Sequence, residues 1–203
     1  MKSGRKNMKK MICSLLGMAF LFSFAACSEA GSLTGKKILL IIAHKDFQEK
    51  EYSVPRKIFE TEGATVEVAS SSKEMAKGIF GMAIKPDMAL QDVNANKYNA
   101  IVFVGGPGAE EYFINKYAHT IAQKAYRSNK VVGAICIAPV TLANAGVLRG
   151  KKATVSSGAA EELKRGGAIY TGKAVEQDGK IITANGPHVA GTFANLIVAE
   201  LKK

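Results

Sequence analysis

Tryptophan is absent from this 203-residue chain, and histidine and cysteine each occur only three times. Aromatic residues are sparse, and no run of lysine or arginine is interleaved with them, which argues against a nucleic-acid-binding surface. The histidines, His44, His119 and His188, are scattered, and no cluster has the spacing of metal ligands, so no metal is expected. No Gly-Lys-Ser/Thr follows the one glycine-rich turn, which removes a phosphate-binding loop. Internal repeats and low-complexity tracts are missing as well. The longest apolar stretch, Met11–Phe24, falls short of the ~20 residues of a spanning helix.

What is present divides at the N-terminus. Residues 1–26 have a basic start, the apolar run and then small residues, the layout of an export signal. Phe24-Ala25-Ala26-Cys27 is similar to a bacterial lipobox, so Cys27 is expected to be the lipid-modified first mature residue. Residues 27–35 are small and polar and suit a tether, leaving 36–203 as one domain. That is enough chain for a real core, at roughly 170 residues. The expectation is a protein of the bacterial cell envelope, touching the membrane through its N-terminal lipid only. Lys2, Arg5, Lys6, Lys9 and Lys10 contribute five of the formal +11 charges, so the rest of the chain carries +6. The remaining lysines read as a solvated surface.

Past the tether, strand and helix patterns alternate. Continuous apolar runs at Ile38–Ala43, Ala100–Val104 and Val131–Ile135 predict strands buried on both faces. Thr65–Ala69 and Ala153–Ser156 predict further strands, and hairpins are expected around Ile79–Ile84 and over Ala174–Ala184, the latter turning at Asp178-Gly179. Helices are expected over Glu51–Glu62, Tyr117–Asn129, Pro139–Leu148, Ala159–Arg165 and His188–Leu201. This order implies an α/β fold, a mostly parallel sheet with helices on both faces. Ligands in such sheets bind beyond the carboxyl ends of the strands. The loop after Ala43, the Gly105-Gly106-Pro107-Gly108 turn and Cys136 all sit there.

Cys136 is the one cysteine beyond the N-terminal export signal and tether. It ends a buried strand and precedes a helix, where the dipole is expected to lower the thiol pKa. Ala134 and Ala138 supply the small residues that a sharp strand-to-helix elbow needs on either side of its nucleophile. Pro139 suits the first helical turn. The plain alternative is a buried core cysteine. Gly105-Gly106 lets backbone N–H groups face a ligand closely, as an oxyanion hole requires.

The order of Glu51-Tyr52-Ser53-Val54-Pro55, Val104-Gly105-Gly106 and Ala134-Ile135-Cys136 resembles the ThiJ/PfpI superfamily, the DJ-1-like proteins. Gly146–Ala153 and Asn185-Gly186-Pro187 extend the resemblance over most of 36–203. It implies a flavodoxin-like three-layer sandwich, with Cys136 as the elbow nucleophile and Glu51 hydrogen-bonded to it. The backbone N–H groups of Gly106 and Ile137 would face the site. It further implies a cofactor-independent activity of the glyoxalase or deglycase kind on small reactive carbonyls, and a homodimer. A thiol redox sensor or protective protein, a peptidase or amidase, and a binding module without chemistry are the other readings. Peptidase-like members carry His after the cysteine where this chain has Ile137, and many DJ-1-like members carry His near Ser156. His188 is therefore the first candidate auxiliary and His44 the second, with His44 and Ser156 as candidate pocket residues. His119 is expected on the surface.

Overall fold

The computed structural model describes residues 32–203. The expected export signal, the lipidation position Cys27 and the start of the tether lie outside the described residues. The tether's expected end is corrected: residues 32–35 form a turn, and Leu33 is fully buried, its N–H donating to Glu62 O at 2.7 Å.

The first half of the domain runs β1 (Lys37–Ile41), β2 (Lys45–Phe47), α1 (Glu49–Thr61), β3 (Thr65–Ser70), β4 (Ala76–Gly78), β5 (Ala83–Ile84), β6 (Met88–Ala89) and β7 (Ala100–Phe103). The second half runs α2 (Lys116–Arg127), β8 (Val131–Ile135), α3 (Pro139–Asn144), β9 (Lys152–Ala153), α4 (Ala160–Arg165), β10 (Ile169–Tyr170), β11 (Val175–Asp178), β12 (Ile181–Ala184) and α5 (Ala190–Leu201). The central sheet has the order β11-β12-β8-β7-β1-β3-β6, and every pairing is parallel except β11 with β12.

Strand periodicity explains the continuous apolar runs. Leu39 and Ile41 point to one face and pack with Ile121, Leu142 and Leu163 from α2, α3 and α4. Ile38, Leu40 and Ile42 point to the other, against Tyr52 and Phe59 of α1 and Phe193 and Ile197 of α5. Each strand thus feeds two cores, one per layer, and has no solvent face to mark with polar residues. The flavodoxin-like sandwich is the observed fold.

Several boundaries differ for local reasons. α1 begins two residues early because the Gln48 side chain caps it, accepting from Lys50 N at 2.7 Å. α3 stops at Asn144, short of Leu148, and Gly146 follows in a left-handed conformation. The strand expected over Ala153–Ser156 is only β9, which leaves the central sheet and pairs with β10. The loop after Ala43 contains β2, which joins β4 and β5 in a small separate sheet. A 3-10 turn at Pro187–Val189 precedes α5, so the last helix starts at Ala190 rather than His188.

Candidate active site

Cys136 stands directly after β8 with φ of +62°, a left-handed backbone that a residue with a β-carbon rarely adopts. The conformation costs about 1–3 kcal/mol and persists only where neighbours hold it. Here the main chain does the holding. Cys136 N–H donates to Ala184 O at the end of β12 (2.9 Å), and Cys136 O accepts from Ser156 N–H (2.8 Å).

Glu51 reaches the sulfur from the first turn of α1. Its side chain is completely buried, Oε2 accepts from Gly105 N–H at 3.0 Å, and the carboxyl group hydrogen-bonds the Cys136 thiol. Oε1 is buried without a hydrogen-bond partner. Pro55, four residues on, lacks the N–H that would close the helical bond to the Glu51 carbonyl. The Gly105-Gly106 turn passes so near that a β-carbon on Gly105 would lie 2.6 Å from both Cys136 Cβ and Glu51 Oε2. Gly106 takes φ of +101°, and its N–H and that of Ile137 donate to the sulfur.

Burial pushes the Glu51 carboxyl up to about 7, against the opposing pull of the thiol and the Gly105 N–H. The expected fall in the thiol pKa is corrected. Burial first, then the negative charge of Glu51, pushes Cys136 up to about 11, and the Gly106 and Ile137 amides only partly offset them. Moving the proton from sulfur to Glu51 removes the very charge that raised the thiol, so the two groups titrate as one unit. The arrangement is a poised thiol–carboxyl pair flanked by two amide donors.

The structure brings Cys136, Glu51, Gly105, Gly106 and Ile137 together, and attaches Ser156 through its backbone. It does not bring an imidazole into hydrogen bonding with the pair. His188 is exposed on the 3-10 turn before α5. His44 is half-buried with its Nδ1 unpartnered, and its backbone N–H donates to Glu111 Oε1 at 2.8 Å. It lines a cleft of about 370 Å³ with Lys45, Asp46, Ser71, Gly108 and Glu111. His119 is half-buried rather than free on the surface, and its Nε2 bonds Phe113 O at 2.9 Å. A cleft of about 480 Å³ between Phe113, Ile114, Arg149 and Arg165 does not include Cys136 in its lining. Among the described residues no group of three or more His, Cys, Asp or Glu is placed to hold a metal ion.

Two contributors escape sequence reasoning. Gln48 N–H donates to Gly105 O at 3.0 Å, and a β-carbon on Gly106 would come within 2.5 Å of Asp46 O and Gln48 N. The segment between β2 and α1 therefore clamps the glycine turn. A capping residue was the only available signal, and glutamine is not among the favoured N-caps.

Fold and site together define a flavodoxin-like α/β sandwich with a strained cysteine elbow facing a buried carboxyl group. The chain belongs to the DJ-1/PfpI family, whose model matches residues 36–200. It is 39% identical over 202 residues to the uncharacterized protein MJ0967 of Methanocaldococcus jannaschii, covering 97% of this chain and 98% of that one. It is 30% identical to the deglycase PfpI of Pyrococcus furiosus, over 73% of this chain and 90% of that one. With the glutathione-independent glyoxalase DJR-1.2 of Caenorhabditis elegans it shares 29% identity, over 82% of this chain and 89% of that one. Among solved structures, a ThiJ/PfpI domain protein from Brachyspira murdochii superimposes with a TM-score of 0.80 at 32% identity, covering 82% of this chain and 98% of that one.

Proposed function

We propose that this protein is a cofactor-independent thiol enzyme acting on small reactive carbonyl compounds, in the manner of a glyoxalase or deglycase. The observation that carries the reading is the Glu51 carboxyl, buried against the Cys136 thiol and pushed up to about 7. A base at that value can take a proton near neutral pH and give it back. Relatives named deglycase and glyoxalase point the same way.

With methylglyoxal, the S–H proton passes to Glu51 as the sulfur bonds the aldehyde carbon. The carbonyl oxygen gathers negative charge, the N–H groups of Gly106 and Ile137 are the nearest fixed donors for it, and Glu51 returns the proton to give a hemithioacetal. Glu51 then removes the carbon-bound hydrogen as a proton and the adjacent carbon is reprotonated, leaving a thioester. Water cleaves the thioester to lactate and frees the thiol. One carbon is oxidised and its neighbour reduced, so no external oxidant or cofactor enters. Purified protein incubated with methylglyoxal should form lactate, with Cys136→Ala and Glu51→Gln at background. Equal lactate from Cys136→Ala overturns the reading.

The redox-sensor alternative has one observation in its favour, a carboxyl group placed to donate to an oxidised sulfur. The raised thiol pKa opposes it, because little thiolate is present at neutral pH. A peptidase lacks its imidazole partner here.

A further inference from the structure

The parallel strands all begin at one end of the domain and finish at the other. Cys136 lies at the finishing end, five residues of β8 away from Val131, which is roughly 17 Å. The starting end has a different chemistry. A cleft of about 230 Å³ there is lined by Lys36, Lys130, Lys180 and Lys203 together with Ser128 and Glu200. Glu200 is the only acid in that lining, and it is held by Lys203 at 2.6 Å and by Gln177 at 2.9 Å. Lys36 and Lys130 have no ion-pair partner among the described residues. Lys180 Nζ donates to the backbone oxygen of Asn129 at 3.0 Å, and its charge also acts on Glu200 without forming an ion pair with it. Lys37 and Lys202 extend the cationic surface, each beside a glutamate.

The N-terminal residues join the domain at this same end. Ser32 Oγ donates to Glu62 Oε2, the carboxylate that also meets Lys202 Nζ at 3.1 Å. Cys27, the residue expected to carry the lipid, is five positions before Ser32, a separation that extended chain cannot stretch beyond about 18 Å. A lipid on Cys27 would thus hold the lysine-rich end close to the bilayer and Cys136 away from it.

We propose that this basic pole lies against anionic lipid headgroups, so that Cys136 opens toward the aqueous side. The proposal rests on the reading of Cys27 as the lipid-modified first residue and is independent of the chemistry at Cys136. Lys37 and Lys202 lie outside the cleft lining, so the lysine-rich surface extends past it, which suits a charged plane better than a single bound anion. Each lysine close to such a surface strengthens contact about fivefold, and removing three weakens it about a hundredfold.

Amide hydrogen exchange of the lipid-modified mature protein on vesicles tests this, since the lipid on Cys27 secures attachment to any bilayer. On vesicles of phosphatidylcholine mixed with phosphatidylglycerol, amides at 128–130 and 180 should exchange more slowly than on phosphatidylcholine alone. High salt should erase the difference. The triple variant Lys130→Gln/Lys180→Gln/Lys203→Gln should erase it too, with exchange elsewhere in the domain unchanged as the control for folding. Equal exchange on the two vesicle types, or protection at 105–106 and 136–137 instead, overturns the proposal. Inorganic phosphate alone producing the same protection would replace it with a free anion site, and duplex DNA doing so would replace it with a nucleic-acid surface.

Discussion

Gly105 and Glu51 meet through one 3.0 Å hydrogen bond, in a space that has no room for a β-carbon on the glycine. The residue that donates to the carboxylate is also the one that lets Cys136 stand beside it. Gly105→Ala should therefore separate the pair rather than merely perturb it. We expect a loss of about 1–3 kcal/mol in stability from overpacking, and lactate formation from methylglyoxal reduced at least tenfold. Denaturant melts and steady-state rates check the two parts; a fully active, stable Gly105→Ala protein would contradict this geometry.

Glu51 makes stability and activity run in opposite directions with pH. Its folded value, about 7, lies above the ordinary 4.5, so the native state binds more protons than the unfolded chain between those values. Its contribution is most favourable below pH 4.5 and is lost as pH rises through 7. The base is ionised only above that point, so the rate should climb over the same range. Glu51→Gln should remove this loss, and compared with the unmodified protein it should gain on the order of 3 kcal/mol at pH 8 relative to pH 4. Paired denaturation curves at the two pH values measure it. A constant difference between the two proteins would show that Glu51 titrates normally.

The thiol should behave as a slow nucleophile toward a neutral alkylating reagent. With Cys136 at about 11, its iodoacetamide rate should still be rising at pH 10. Glu51→Gln removes a negative charge beside the sulfur and should bring the midpoint down. A midpoint near 8 in the unmodified protein would mean that the amide donors outweigh burial.

Cys136→Gly tests the elbow itself. Glycine accepts φ of +62° without strain, so it should recover about 1 kcal/mol that Cys136→Ala does not. Thermal melts of the two inactive variants give the comparison. Equal melting temperatures would mean that the backbone at 136 is relaxed.

The strand framework was legible because Ile38–Ile42, Ala100–Phe103 and Val131–Ile135 are buried on both faces, and such runs announce themselves in composition. The Cys136 elbow was legible from Ala134, Ala138 and Pro139, which are local steric demands. Glu51 came from the family resemblance, since an acid in a first helical turn is otherwise ordinary. Burial decided the rest. The thiol's raised pKa depends on a carboxyl group from a helix 85 positions earlier in the chain, which no local pattern carries. β2 went unseen because Lys45 and Asp46 are exposed and only Phe47 is buried. His188 follows a motif the resemblance places near the cysteine, yet the 3-10 turn leaves it exposed.

The bond from Ser156 N–H to Cys136 O uses none of the serine side chain. Position 156 can therefore change its chemistry while the thiol keeps its place. An imidazole installed there would enter a scaffold already anchored by main chain, which makes this serine the natural point for adding a basic side chain beside the thiol without disturbing its backbone.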